Sequence, residues 1–180
     1  MGRYSWSRLN SHQVGRFAEY FVKMEFALYG FEVYTAEVDD RGIDFVARHG
    51  SGGFYEVQVK SVRKMNYVFM QKSKFPLRPD RLLALVLLEE DRPPDLYLIS
   101  AMAWSSPNSL LVDRDYDGLK SKPEWGVQLS GRTLPLLAPY RFDTAVLPLC
   151  HVIPIETLDL NRTATLDSRS SPIVDASGSR

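Results

Sequence analysis

The sequence predicts a single mixed α/β domain built around one sheet. Three observations carry this reading: a long amphipathic helix near the start, short apolar strands after it, and turn residues between them. A helix is predicted to begin after Ser11, a good N-cap residue. Val14, Phe17, Ala18, Phe21 and Leu28 then follow the helical period, and Met24 widens the stripe. Gly30 stops the helix, and Phe31-Glu32-Val33-Tyr34 reads as a first strand. Asp39-Asp40-Arg41-Gly42 is turn chemistry ahead of a second strand over 43–47. Gly50-Ser51-Gly52-Gly53 connects that strand to a third, from Phe54 to Lys60, so the two form a hairpin. Strict alternation puts Glu56, Gln58 and Lys60 on one face of the third strand, and Tyr55, Val57 and Val59 on the other.

Residues 61–81 read as basic and partly extended or looped, with Tyr67, Phe69 and Phe75 interleaved. The unbroken apolar run Leu82–Leu88 predicts a buried central strand. Glu89 to Pro94 forms a polar turn, and Leu96–Ile99 is the returning strand. Shorter strands are predicted at 110–112 and 125–129, with a small helix near 133–140 in spite of Pro135.

A chain of 180 residues suits one domain on a scale of about 150 per domain. The domain is expected over 11–156, behind a leader at 1–10. The Ser-, Thr-, Asp- and Arg-rich stretch 157–180 is expected to be a disordered tail. Composition is 44% hydrophobic and 24% charged, which excludes collagen-like, coiled-coil and wholly disordered classes. No apolar run approaches the roughly 18 residues of a membrane span, and no signal-peptide stretch opens the chain. A cytoplasmic location without membrane partners is therefore expected. Cys150 is the only cysteine, which excludes an intramolecular disulfide and a multi-thiolate zinc site. His12, His49 and His151 show no close ligand spacing, and His151 beside Cys150 is too isolated for a dyad. No Gly-rich phosphate loop or nucleotide fingerprint is present, so no nucleotide cofactor is expected. Asp113-Arg114-Asp115-Tyr116-Asp117 lacks the rest of a calcium loop and reads as a polar turn.

The net charge of zero hides a gradient. Residues 1–81 hold 13 basic and 9 acidic side chains, and the remainder reverses those counts. Within 62–81, Arg63, Lys64, Lys72, Lys74, Arg78 and Arg81 face Asp80 alone, a strip suited to a polyanion. Of these, Arg63, Lys64, Lys72, Lys74 and Arg78 are the candidate contacts to nucleic-acid phosphates. Tyr67 and Phe69 could stack on bases, although alternation with Val68 means one of the two faces packs inward.

The segment that carries chemistry is Gly42-Ile43-Asp44-Phe45 followed by Glu56-Val57-Gln58-Val59-Lys60. Side chains on adjacent strands lie about 5 Å apart, so Asp44, Gln58 and Lys60 can converge at one sheet end. Phosphodiester hydrolysis gives such groups a reason, because the reaction builds charge on the phosphate and the leaving oxygen. Oxygen ligands suit Mg²⁺, with Mn²⁺ as a substitute. Asp44 would anchor the ion, with the Gln58 amide oxygen and the Val59 carbonyl as further ligands. Glu19 on the helix would reach it through water. Lys60 would hold the attacking water or stabilise transition-state charge.

Over residues 14–62 the sequence resembles the PD-(D/E)xK nuclease superfamily, in its archaeal Holliday-junction-resolvase-like and related uncharacterised bacterial branches. The shared pattern is Gly15 and Glu19 on the helix, Gly30-Phe31, Gly42-Ile43-Asp44, and Val57-Gln58-Val59-Lys60-Ser61. The resemblance implies a restriction-endonuclease-like mixed sheet flanked by helices. It also implies a metal-dependent nuclease acting on DNA; two copies would explain double-strand or junction cleavage, so a symmetric homodimer is expected. Asp44, Gln58 and Lys60 take the three central positions and Glu19 the helix position. Ile43 stands where the familiar pattern has proline. Gln58 replaces an acidic residue, which removes about one unit of ligand charge. Glu56 either compensates from the same face or pairs with Arg41 or Arg48.

Two other readings stay open. One is a catalytically inactive nucleic-acid-binding module of the same fold, which Gln58 keeps in play. The other is a protein-interaction or immunity-type accessory domain, with the acidic C-terminal half facing the partner. The nuclease reading expects Asp44, Gln58 and Lys60 in one cleft, Glu19 aimed at it, and Lys60 half-buried and paired.

Overall fold

The computed structural model describes residues 2–35 and 41–150. Helix α1 runs Ser11–Leu28. Asn10, one residue ahead of the expected cap, closes a capping box: its side chain accepts from Gln13 N–H, and the Gln13 side chain accepts from Asn10 N–H. The buried stripe is Val14, Ala18, Val22 and Phe26, an i, i+4 row laid on the sheet. Met24 and Leu28, assigned to the stripe from sequence, are 58% and 78% exposed. Both sit away from that row, so the apolar face narrows rather than widens toward the helix end.

Strands β1 (Phe31–Thr35), β2 (Phe45–His49), β3 (Phe54–Val62), β5 (Arg81–Leu87) and β6 (Asp95–Ser100) form one sheet in that spatial order. All neighbours are antiparallel except β3 and β5, which are parallel. A parallel pair needs a crossover. Here the crossover contains β4 (Tyr67–Gln71), which pairs not with this sheet but with β8 (Glu124–Gln128). With β7 (Leu111–Arg114) these make a second, three-stranded antiparallel sheet in the order β4-β8-β7.

The fold class is therefore mixed α/β, a five-stranded mixed sheet with a three-stranded sheet and helices. The structure differs from the expectation in what covers the second face. Helix α1 packs on one face through Val57, Leu82, Ala84 and Val86. The opposite face, bearing Leu83, Leu85 and Ile99, is covered by the small sheet through Val68, Met70, Leu111 and Val127. Short helical turns, including the 3-10 segment Leu134–Tyr140 predicted near 133–140, and helix α2 (Phe142–Ala145) complete the shell. Phe26 meets Phe31, Phe45 and Phe142 edge-on with centroids 5.1–5.5 Å apart, the favoured aromatic geometry.

The leader carries a 3-10 turn, Trp6–Arg8, and Trp6 is buried in the core against Phe17. The expected tail at 157–180, His151 and the turn residues Asp39 and Asp40 lie outside the described residues. Among the described residues, no helix is long and apolar enough to cross a membrane.

Candidate functional site

The alternation read from the sequence holds in β3. Parallel register sets Glu56, Gln58 and Lys60 beside Arg81, Leu83 and Leu85, on the face turned to the small sheet. Val57 and Val59 pack toward α1. Polar groups on a covered face need partners, and their partners define the candidate site.

Asp44 is reached through Gly42, whose φ of +67° is a left-handed backbone that favours glycine. A Cβ there would also stand 3.1 Å from Gln58 Nε2. Gly42 thus comes close to the Gln58 amide because it carries no side chain. Beyond it, Asp44 N–H donates to the Val57 carbonyl at 2.9 Å. The Asp44 carboxylate accepts the Val59 N–H through Oδ2 at 2.6 Å. A short charge-assisted bond of this kind fixes the carboxylate on the peptide that joins Gln58 to Val59. Strand β2 starts only at Phe45, so Asp44 precedes the strand expected over 43–47.

Gln58 is 9% exposed, and its Oε1 is a buried acceptor with no partner among the described residues. Such an oxygen costs free energy unless something else supplies a donor or a cation. Lys60 is half-buried and, among the described residues, makes no hydrogen bond or ion pair, against the expectation that it would be paired.

The centre of the polar cluster is Arg81, which is fully buried. Its Nη1 donates to Glu56 Oε2 at 3.2 Å. Its Nη2 donates to the carbonyls of Gly42 and Lys74, the latter at 2.9 Å. The guanidinium lies 5.2 Å from the Phe75 ring centroid. Burial pulls the Arg81 pKa down, and the Glu56 charge opposes that pull. Glu56 also takes Arg78 Nη2 at 2.7 Å, so it pairs with these two arginines rather than with Arg41 or Arg48. The Glu56 hydrogen bond, ahead of its charge, raises the Arg78 pKa.

Sequence reasoning counted Arg81 as part of a basic strip and missed its place. A signal was present: Arg81 opens the apolar run 82–88 with the same parity as Leu83 and Leu85. That parity puts it on an inner face.

The other expected site residues are dispersed. Glu19 pairs with Arg16 at 2.8 Å on the same helix. Lys72 is held by Asp113 and by Asp115 at 2.6 Å, and lies 4.2 Å from the Trp125 ring centroid. Arg63 donates to the carbonyls of Trp6 and Leu9. Lys64 is exposed. Lys74 is exposed beside Gly42, its own Cβ 3.5 Å from where a Gly42 Cβ would stand. Among the described residues no three His, Cys, Asp or Glu side chains gather into a cation-holding group, so Glu19, Asp44 and Glu56 do not form one. The oxygens that could hold a hard cation are those of Asp44 and Gln58 and the Val59 carbonyl.

No family model matches the sequence, and no curated protein matches it. Among solved structures, the chain is similar to a Holliday junction resolvase from the archaeal hyperthermophile Archaeoglobus fulgidus. That likeness covers 68% of this chain and 88% of the other, at 13% identity and a TM-score of 0.42.

Proposed function

We propose that the chain is a metal-dependent nuclease that hydrolyses DNA phosphodiester bonds. The observation that carries the reading is the buried, unpartnered Oε1 of Gln58, the residue directly before the Val59 N–H that holds the Asp44 carboxylate. A carboxylate and an amide oxygen so placed suit one hard cation, with water filling the remaining positions. Bound there, Mg²⁺ or Mn²⁺ would neutralise phosphate charge and lower the pKa of a water ligand. Asp44 anchors the site by charge, and its bond to Val59 N–H keeps the carboxylate oriented. Lys60 follows Gln58 on the same face. Its ammonium, unclaimed by any described carboxylate, orients the attacking water or stabilises charge on the phosphate. Lys74, exposed at the turn before Asp44, contributes a contact to the polyanion.

One observation favours a second reading, an inactive nucleic-acid-binding module. Glu56 and Glu19 are both engaged by arginines, so neither makes up for the charge that Gln58 lacks. Incubation with plasmid, single-stranded and branched DNA in Mg²⁺ separates the two, with Lys60→Ala as control. Cleavage lost in the variant while DNA binding persists supports the nuclease. Binding without cleavage by the parent protein supports the module.

A further inference from the structure

Beside the row that holds Lys60 the sheet opens into a trough. The pair registers set Lys60, Leu85 and Tyr97 side by side across β3, β5 and β6, with Val62, Leu87 and Asp95 in the next row of the same face. At about 4.8 Å between strands, Tyr97 lies roughly 10 Å from Lys60. A cavity of about 460 Å³ opens here, walled by Val62, Leu87, Leu134 and Tyr97. Val62, Arg63, Lys64 and Leu88 also line a second hollow of about 700 Å³. The first alone falls within the roughly 300–1,000 Å³ of small-ligand sites.

The charges on the rim sort into two groups. Arg92 is paired with Glu89 at 2.7 Å, and Arg141 faces Asp95 at 3.7 Å. Glu90 accepts both the N–H and the hydroxyl of Ser7 at 3.0 Å. Arg63 donates only to carbonyl oxygens, and Lys64 has no partner among the described residues. The pair Arg63–Lys64 is thus the cationic point of the rim that meets no described carboxylate, and it borders both hollows.

Apolar side chains of Val62, Leu87 and Leu134, bordered by two cations, match a flat ring that carries an anionic group. We infer that the trough is a nucleotide subsite: its wall takes one unpaired base, and Arg63 and Lys64 take the phosphate. The inference deepens the nuclease reading, on which it rests for the strand's path past Lys60. It makes the substrate a nucleic acid with at least one unpaired base near the scissile bond. A base held in a duplex stack has both faces covered and cannot lie against such a wall.

Binding of a free 5′-deoxynucleoside monophosphate to the full chain tests this without any cleavage. Amide shifts should fall at 62–64, 87–88 and 134. The nucleotide should bind at least tenfold more tightly than inorganic phosphate. Lys64→Glu, on an exposed side chain, should weaken it tenfold or more, and Leu134→Asp should do the same in protein whose unfolding midpoint is checked. Phosphate binding as tightly as the nucleotide would reduce the trough to an anion patch and overturn the inference. So would shifts confined to other residues, or no binding at millimolar nucleotide. Nucleotide binding in a protein that cleaves nothing upholds the subsite and removes the nuclease, whereas cleavage without nucleotide binding does the reverse.

Discussion

The two faces of the large sheet are made from the same strands and differ in what they tolerate. Toward α1, Val57, Leu82, Ala84 and Val86 meet Val14, Ala18, Val22 and Phe26 in an apolar contact. Toward the small sheet, Leu83, Leu85 and Ile99 are just as buried, yet β3 places Glu56, Gln58 and Lys60 on that side. Three buried side-chain polar atoms lack a partner among the described residues, and two of them, Gln58 Oε1 and Arg81 Nε, belong to this face. An apolar face maximises burial. A polar face built around a buried guanidinium keeps unmet hydrogen-bonding capacity in place, and such capacity is what a ligand can use.

The largest expected effect is at Arg81. Arg81→Met strips Glu56 of one partner and leaves the Gly42 and Lys74 carbonyls unmet. Breaking a buried charge network of this kind should cost about 3–5 kcal/mol in denaturant unfolding. Phe26→Ala on the α1 face should cost a similar ~3–5 kcal/mol through a cavity. A loss under about 1 kcal/mol at Arg81 would mean that the polar face is not a built network. Lys60→Ala comes next: cleavage should fall by about 100-fold, the scale for removing one transition-state donor, while the unfolding midpoint stays put.

Gln58→Leu sharpens the contrast further. It removes a buried acceptor that lacks a partner, so metal-free protein should gain about 1 kcal/mol of stability, while Mn²⁺ binding measured by calorimetry should vanish. Lost stability with unchanged Mn²⁺ affinity would rule out Gln58 as a ligand. The smallest effect is alkaline. Burial raises the Tyr67 phenol above its usual 10.0, and Glu124 adds to this. The folded state then holds that proton where the unfolded chain releases it, so stability is intact below pH 10 and declines above it. Tyr67→Phe should flatten that decline in unfolding midpoints taken from pH 9 upward.

What the sequence disclosed follows the range of the forces involved. Helix α1, the β2–β3 hairpin and the β5–β6 return are local, and their periodicity and turns placed them within a residue or two. Strand β4 reads from sequence as a partly extended loop because its partner, β8, lies more than 50 residues away. Its alternation was visible: Val68 and Met70 turn inward, while Phe69 stays 49% exposed. The pairing of Lys72 with Asp113 and Asp115 was hidden for the same reason, since it joins the ends of β4 and β7 across the intervening β8, in a sheet that only the folded chain assembles. At the candidate site, the parity of Glu56, Gln58 and Lys60 was legible, because a period of two survives any tertiary context. The parity of Arg81 carried the same signal, masked by the basic residues around it, and Glu19 with Arg16 is an i, i+3 spacing on one helix, a local pair that competes with any longer-range role for Glu19.

The link between β3 and β5 is spent on β4, so the route that completes the first layer passes through the second. Neither layer can be excised: removing 111–128 would strip β4 of its neighbour and bare a sheet edge, an invitation to aggregate. The molecule should therefore melt in one cooperative step, and it should fold slowly for its size, as chains dominated by distant pairings do.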